Sequence, residues 1–212
     1  MSRKTLILIA AAAAKNNGIG VDNDLPWRLR KELAYFTRVT KTVRNASDEK
    51  LAGDIPIMNA CILGRKSWEC IPPKYRPLNN RYNIVISSNP RLLDGEDAPF
   101  TVVQPSVAAA IEHIDQLNQG NEVRIDRIFV VGGGAIYTHA LHLEPHHIQV
   151  LLTRVQFEDA HKCDTFFPAV NTDEFPQQSH ERLEEVVGFE VPRGVQTEAG
   201  IDYEFFLFEK QR

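Results

Sequence analysis

The stretch Ile128-Phe129-Val130-Val131-Gly132-Gly133-Gly134-Ala135-Ile136-Tyr137 decides the fold class of this chain. Its first part is a short apolar run of the kind that forms a buried strand, and its last part begins a helical pattern that continues to residue 143. Three consecutive glycines at the junction allow a backbone to approach a diphosphate closely, although a tight turn would use them equally well. A buried strand that turns directly into a helix is typical of a parallel α/β sheet.

Further apolar runs suited to strands lie on both sides of this stretch. The complete set covers residues 6–12, 57–63, 83–87, 100–103, 128–131, 148–155, 183–190 and 203–208. Helical patterns alternate with the earlier runs, at residues 28–40, from Arg65 onward, at 106–119 and at 135–143. We therefore predict one α/β domain over residues 1–212, with a central eight-stranded, mainly parallel sheet and helices on both faces. Because no helix separates the last two runs, we predict that they form an antiparallel hairpin at one edge.

The composition is that of an ordinary globular protein. Of the 212 residues, 43% are apolar and 25% are charged, and the formal net charge of −4 predicts no electrostatic footprint for nucleic acid or an anionic membrane. The longest apolar run, residues 6–14, is far shorter than the roughly 20 residues that span a bilayer. It follows two basic residues, as in a secretory signal, but a first strand explains it as well. Three widely spaced cysteines without a C-x-x-C pair favour a reducing compartment.

The helical pattern at residues 28–40 holds the most informative side chain, Glu32. On a helical wheel Leu29, Leu33 and Phe36 share an apolar flank, and Glu32 lies beside Phe36 on that flank. One interpretation is a boundary glutamate that reaches solvent or pairs with a base. The other is a buried carboxylate that binds a cationic or amidine-like ligand group, with its pKa raised by desolvation.

Three further segments lie where ligands bind in such sheets, just after predicted strands. Gly64-Arg65-Lys66-Ser67-Trp68 opens a short helix and fits either a phosphate site or a glycine turn with solvated bases. Ser87-Ser88-Asn89 offers hydroxyl donors or simple turn chemistry. The Gly-, Asn- and Asp-rich residues 16–27 fit either a mobile lid or a plain surface loop.

Several familiar signatures are missing from the sequence. The glycine run is neither G-x-G-x-x-G nor a Walker A loop, so we infer a dinucleotide fold other than the Rossmann type. His139 and His142 lie about one helical turn apart, but no cysteine or carboxylate set completes a zinc pattern, and we predict no metal site.

Taken together, these segments resemble the dihydrofolate reductase family, in its longer eukaryotic and fungal form. The resemblance runs from residue 6 to the final strand. Seven motifs carry it in the family's order: Gly18-Ile19-Gly20, Leu25-Pro26-Trp27-Arg28-Leu29, Lys31-Glu32-Leu33-Ala34-Tyr35-Phe36, Gly64-Arg65-Lys66-Ser67-Trp68, Arg76-Pro77-Leu78-Asn79-Asn80-Arg81, Val131-Gly132-Gly133-Gly134 and Asp164-Thr165-Phe166-Phe167-Pro168.

The resemblance implies NADPH-dependent reduction of 7,8-dihydrofolate to tetrahydrofolate, in which C6 gains a hydride and N5 a proton. Glu32 matches the acidic residue that binds the pterin, and Thr153 matches the threonine that holds this carboxylate. Trp27 and Leu25 match residues beside the proton-delivering water and the nicotinamide. Arg81 matches the arginine that grips the α-carboxylate of the glutamate tail. The implied substrate-binding set is Ala10, Ala11, Glu32, Leu33, Phe36, Ile71, Leu78, Arg81, Val131 and Tyr137.

The resemblance also implies a cofactor-binding set. Ala12 and Ile19 match positions whose backbones hold the carboxamide, Arg65 with Ser87 or Ser88 matches the 2′-phosphate region, and residues 133–136 match the diphosphate site. The full implied set is Ala12, Ile19, Gly20, Gly64, Arg65, Lys66, Ser67, Ser87, Ser88, Val131, Gly133, Gly134, Ala135 and Ile136. Further expectations are binding of antifolate inhibitors, a monomeric state and a cytoplasmic location; a mitochondrial or nuclear location is not readable from the sequence.

The sequence departs from the family's pattern near the adenosine phosphate. Many relatives carry a second base or polar residue there, whereas this chain has Ala135 after the glycines and Ser88 where some relatives have a base. Residues 41–54, an expected exposed insertion, and residues 174–200 align loosely.

Two alternative functions remain. A reductase of the same fold could act on a ribosylamino-pyrimidine in riboflavin synthesis, but that substrate has neither the pterin nor the glutamate tail that Glu32 and Arg81 would bind. A non-catalytic nucleotide-binding protein could keep the glycines, but it would not need Glu32, Trp27 and Thr153 together.

Overall fold

The apolar run near the amino terminus forms an inner strand of an eight-stranded sheet. In the computed structural model, which describes residues 3–44 and 55–210, this strand is β1 (Thr5–Ala13). The other strands of this sheet are β3 (Ile57–Gly64), β4 (Arg81–Ile86), β5 (Thr101–Gln104), β6 (Arg124–Gly132), β7 (His147–Val155), β9 (Gln196–Glu198) and β10 (Ile201–Glu209). A second, two-stranded antiparallel sheet is formed by β2 (Gly18–Gly20) and β8 (Thr165–Phe166). The α-helices are α1 (Arg30–Lys41), α2 (Arg65–Cys70), α3 (Val107–Gln119), α4 (Gly134–Leu141) and α5 (His180–Val187).

The strand order of the main sheet is β5-β4-β3-β6-β1-β7-β10-β9. All neighbours from β5 to β7 are parallel, and β10 runs antiparallel to both of its neighbours, β7 and β9. The prediction of an eight-stranded, mainly parallel α/β sheet is therefore confirmed. The run at residues 6–12 is an inner strand of this sheet, as the strand interpretation required.

The prediction of a strand at residues 183–190 is wrong, because this segment lies largely in α5. Leu183, Val186 and Val187 are spaced three and four residues apart, so they share the buried face of a helix. Ser179 caps the helix by accepting a hydrogen bond from the backbone N–H of Arg182. The predicted edge hairpin exists, but β9 and β10 form it, so the final strand lies between β7 and β9.

Helices cover both faces of the sheet, as predicted. Alternate side chains of β1 point to opposite faces, with Leu6 and Leu8 on one side and Ile7 and Ile9 on the other. Buried residues of α3 and α4 pack on the first face, and those of α1 and α5 pack on the second. Of the predicted insertion, residues 45–54 lie outside the described residues.

Helix α1 runs from the carboxyl edge of the parallel strands to their amino edge. Near its end, the carbonyls of Thr40 and Thr42 accept hydrogen bonds from the Asn59 amide, near the start of β3, at 3.0 and 2.8 Å. Arg127, near the start of β6, donates to the carbonyls of Val39 and Thr42. The first turn of α1 therefore lies at the carboxyl edge of the sheet, where the parallel strands end.

Candidate active site

Glu32 lies in the first turn of α1 and is held by a strand. Its Oε1 accepts a hydrogen bond of 3.1 Å from Thr153 Oγ1. Thr153 is on β7, paired in register with Ala11 of β1, so the contact ties the helix to the middle of the sheet. The structure thus brings together two side chains that lie far apart in the sequence.

Burial raises the pKa of Glu32 to about 7, and the negative charge of Glu198 acts in the same direction. The hydrogen bond from Thr153 opposes this rise because it favours the ionised form. The raised pKa agrees with the interpretation of Glu32 as a desolvated carboxyl. A carboxyl group that titrates near neutral pH can hold or release a proton under physiological conditions.

The same pKa predicts that stability falls as pH rises. The pKa is about 7 in the folded protein and 4.5 as the ordinary value, so the folded state binds the proton more tightly than the unfolded chain. The free energy of unfolding therefore decreases between about pH 5 and pH 8, by at most about 3 kcal/mol. Because the side chain is partly exposed, solvent screening makes this decrease smaller. We expect Glu32→Gln to be more stable than wild type at pH 8 by about 1–3 kcal/mol, with a smaller difference at pH 5.

Urea unfolding at the two pH values measures this difference, with the exposed Glu190→Gln as the matched control. An equal difference at pH 5 and pH 8 would show that the Glu32 carboxyl does not titrate in this range.

Five of the predicted substrate-binding side chains are apolar and partly buried. Ala11, Phe36, Leu78 and Val131 pack at the margin of the core cluster on the α1 face, and Ile71 packs on a smaller cluster beside Val131. Their incomplete burial leaves apolar surface at the margins of the core. The sheet-facing side of α1 is formed by Tyr35, Val39 and Thr40.

Leu33 and Leu25, predicted to face the ligands, are both 53% exposed. The helical wheel places Leu33 on the apolar flank, but the buried face of α1 is rotated toward Tyr35. Leu25 lies in the loop before α1. Trp27, by contrast, is 5% exposed and packs edge-on against Phe157, with ring centroids 5.4 Å apart.

Arg81 is buried at the opposite end of α1 from Glu32. Its Nη1 donates to Thr40 Oγ1 at 2.9 Å and its Nε to the carbonyl of Asn79 at 3.1 Å. It opens β4, so it lies at the amino edge of the sheet rather than at the carboxyl edge, where ligand residues were expected. From Glu32 to Thr40 the helix rises about 12 Å, so α1 separates a carboxylate from a guanidinium by roughly that distance.

Tyr137 reaches the central strand from α4. Its hydroxyl donates a 2.7 Å hydrogen bond to the carbonyl of Ile9, next to the predicted Ala10. Ile9 was not among the predicted residues. A backbone carbonyl leaves no signal in residue type, so only the fold could identify it.

The glycine turn after β6 forms a narrow cradle. The peptide between Gly132 and Gly133 is cis, and Gly132 has a φ of 143°. A Cβ atom at either residue would lie 3.0 Å from the Ser67 hydroxyl, and one at Gly134 would lie 2.7 Å from the carbonyl oxygen of Phe166. A side chain would therefore be strained at Gly132 and Gly134, and a turn without side chains fits the close approach of a nucleotide's diphosphate.

Two helices begin beside this cradle. Helix α4 starts at Gly134 and α2 starts at Arg65; a Cβ at Gly64 would lie 3.1 Å from Ile136 of α4. The free N–H groups of both first turns thus lie near one another, together with the exposed Ala135. The structure brings together the two predicted phosphate segments.

The side chains predicted near the 2′-phosphate differ in their exposure and in their partners. Arg65 is half-exposed and forms a salt bridge of 2.8 Å with Glu69. Lys66 and Ser88 are exposed. Ser87 is partly buried, and its hydroxyl accepts a hydrogen bond from the backbone N–H of Asn89.

The loop at residues 16–27 is tied to the segment after β7. Its strand β2 pairs with β8, and the backbone N–H of Asp22 donates to Asp164 at 2.9 Å. Ile19 packs against the core, Gly20 is partly buried, and Ala12 of β1 is fully buried. The loop therefore has a defined conformation, and its role as a lid stays a prediction.

Within residues 3–44 and 55–210, no group of three or more His, Cys, Asp or Glu side chains could hold a metal ion. No helix in the described part of the chain is long and apolar enough to cross a membrane. Cys61, Cys70 and Cys163 are free thiols, and Cys61 is fully buried in the core.

Comparison with known proteins gives a consistent result. A family model described as dihydrofolate reductase matches residues 5–45 and 47–191. The dihydrofolate reductase of Heliothis virescens is 37% identical over 210 residues, covering 99% of this chain and 100% of the relative. That of Pneumocystis carinii is 35% identical over 218 residues, covering 98% of each. The solved structure of Schistosoma mansoni dihydrofolate reductase superposes with a TM-score of 0.75 at 27% identity, covering 99% of this chain and 100% of that one.

The fold and these comparisons define an oxidoreductase of the α/β class, whose candidate site includes the Glu32 carboxyl and the glycine cradle after β6. The chain belongs to the dihydrofolate reductase family, as its resemblance to eukaryotic members of that family indicated. The family uses a nicotinamide cofactor. The fungal subdivision stays a prediction.

Proposed function

We propose that this enzyme reduces 7,8-dihydrofolate to 5,6,7,8-tetrahydrofolate with NADPH and thereby supplies one-carbon metabolism and thymidylate synthesis. The observation that carries the proposal is the Glu32 carboxyl. It accepts a hydrogen bond from Thr153 of β7, and its pKa lies near 7. The matched family and the 35–37% identical relatives support it.

In this proposal Glu32 binds the pterin. An ionised carboxylate has two acceptor oxygens, and these suit the paired N–H donors at N3 and the 2-amino group of the pterin. Thr153 fixes the position of one oxygen, so the carboxylate needs little reorganisation on binding. Because its pKa lies near 7, Glu32 can also hold the proton that N5 finally gains.

The cofactor supplies a hydride from its nicotinamide when bound, and the protein positions and shields the reacting groups. Residues 132–134 and the first turns of α2 and α4 would hold its diphosphate. Ala12 and Ile19 would hold the carboxamide through their backbones. Trp27, buried against Phe157, and Leu25 in the loop would limit the access of water.

The length of the site favours dihydrofolate over the substrate of the riboflavin pathway. Dihydrofolate has a pterin at one end and a glutamate α-carboxylate at the other. Helix α1 places Glu32 and Arg81 at its two ends, about 12 Å apart along the axis, with Phe36 between them. A ribosylamino-pyrimidine has no carboxylate to reach Arg81.

One assay tests the proposed function. NADPH consumption is followed by absorbance with dihydrofolate as substrate, with and without an antifolate. We expect turnover that depends on dihydrofolate and is abolished by the antifolate; turnover of a ribosylamino-pyrimidine instead, or no turnover at all, would overturn the proposal.

We further propose a monomeric enzyme that acts in the cytoplasm.

Arg65 is proposed to select NADPH over NADH. Since it already forms a salt bridge with Glu69, the carboxylate competes with a 2′-phosphate for the same guanidinium. We expect Arg65→Ala to raise the KM for NADPH about tenfold while changing that for NADH less than twofold. Glu69→Gln should lower the KM for NADPH, because it releases Arg65. Steady-state kinetics with both cofactors measures these effects, and equal changes for NADPH and NADH would place the phosphate elsewhere.

A further inference from the structure

The amino terminus of α1 is capped from a distant part of the chain. Leu29, at the N-cap position, has no side chain that could accept a hydrogen bond. Instead, Glu198 Oε1 accepts from the backbone N–H of Arg30, and Oε2 accepts from that of Lys31, both at 2.9 Å. Glu198 lies on β9, 168 residues after Arg30. The edge hairpin therefore supplies the cap that the helix itself lacks.

This arrangement satisfies two of the N–H groups that every helix leaves free in its first turn. A carboxylate is the preferred acceptor there because its charge also complements the positive end of the helix dipole. Glu32 lies in the same turn, one residue after Lys31. The start of the helix that carries Glu32 is thus fixed by two charge-assisted hydrogen bonds from Glu198.

We propose that Glu198 is a positioning residue for Glu32, which fixes the first turn of α1 and places a second negative charge beside the ligand-binding carboxylate. This inference rests on the proposed role of Glu32. Neither the sequence motifs nor the matched family positions pointed to Glu198.

The other titratable groups that act on the Glu32 site are tyrosines. Tyr35 of α1, Tyr137 of α4 and Tyr203 of β10 all have a raised pKa, because burial disfavours the phenolate and Glu32 repels it. They are therefore neutral in the pH range where Glu32 titrates. Thr153 contributes a hydrogen bond but no charge. The negative charge of Glu198 acts in addition to burial and raises the pKa of Glu32.

The test compares wild type with Glu198→Gln, Glu198→Ala and the exposed control Glu190→Gln. Glu198→Gln removes the charge and one of the two acceptors but keeps the other for the helix, whereas Glu198→Ala removes the charge and both acceptors. Two quantities are measured: the pH dependence of single-turnover hydride transfer, and the titration of the Glu32 carboxyl by ¹³C NMR in the free protein. Thermal unfolding of each variant reports on folding.

We expect Glu198→Gln to lower both the alkaline midpoint of the rate and the pKa of Glu32 by a few tenths to about one pH unit, since a repelling charge is removed. The KM for dihydrofolate should change less than twofold in this variant. Glu198→Ala should raise that KM several-fold because the first turn is no longer fixed. Glu190→Gln should match wild type throughout.

Two results separate this inference from the proposed function. If Glu32→Gln abolishes turnover but Glu198→Gln leaves both midpoints unchanged, Glu198 acts only as a structural cap and the inference is overturned. If Glu32→Gln keeps most of its activity, the proposed role of Glu32 fails first. Should Glu198→Ala not fold, the comparison of Glu198→Gln with Glu190→Gln decides alone.

Discussion

Replacing Glu32 by glutamine is expected to lower turnover of dihydrofolate by about 10² to 10⁴-fold at neutral pH. Glutamine keeps the size of the side chain, but it exchanges one acceptor oxygen for an NH₂ donor and removes the charge. The pterin would then meet a donor where it needs an acceptor, and the carboxyl whose pKa lies near 7 would be lost. NADPH binding should stay within about twofold of wild type, because the cofactor cradle lies on other elements.

Single-turnover hydride transfer across pH, with cofactor affinity from fluorescence, separates these effects. In wild type the rate should decrease toward alkaline pH as the proton source is lost. The residual rate of Glu32→Gln should either not depend on pH in this range or show a midpoint at the pKa of the substrate itself. A variant that keeps most of its rate at pH 7 would exclude Glu32 as the pterin-binding residue.

Replacing Arg81 by leucine is expected to weaken dihydrofolate binding about ten- to a hundredfold, which corresponds to a charge-assisted pair of roughly 1.5–3 kcal/mol. Arg81 is 5% exposed and already bound to Thr40 and Asn79, so its guanidinium is held in place before a ligand arrives. Burial also lowers its pKa, because a desolvated cation is disfavoured. A carboxylate from the ligand would supply the missing countercharge.

The decisive comparison uses ligands with and without a glutamate tail. Tailless pteridines should bind Arg81→Leu and wild type with affinities within about twofold. The exposed Arg91→Leu, in the segment after β4, serves as the matched control for loss of an arginine. Because Arg81 also bridges α1 and the residues before β4, thermal unfolding must show that the variant is folded. An equal loss of affinity for both ligand types would show that Arg81 does not bind the glutamate tail.

The sequence predicted the strands best where apolar runs were long and bounded by turn residues. Residues 6–12 and 148–155 became central strands because both their faces are covered, so almost every side chain is apolar. The segment at residues 183–190 was predicted wrongly because a short apolar run does not distinguish a buried strand from one face of a helix. Its Ser179 cap and the terminating Gly188 were the signals for a helix.

The candidate site was predictable where side-chain chemistry left a mark. Glu32 stood out as a carboxylate on an apolar flank, and the glycines stood out by composition. Glu198 and the Ile9 carbonyl could not be identified from the sequence, because the role of each depends on a partner that is distant in the chain. The rotation of α1 also could not be read from periodicity, so Leu33 was expected to be less exposed than it is.

The position of β10 between β7 and β9 has a consequence for the order in which the chain is made. During synthesis, the strands from β1 to β7 emerge before residue 160, and they can pair among themselves. Thr153 then has only one neighbouring strand, since Phe205 of β10 is its partner on the other side. Glu198, which caps α1, is also made after β7 and shortly before β10. The residues that complete the surroundings of Glu32 are therefore among the last to be made, so a nascent chain can form the parallel part of its sheet before those surroundings are complete.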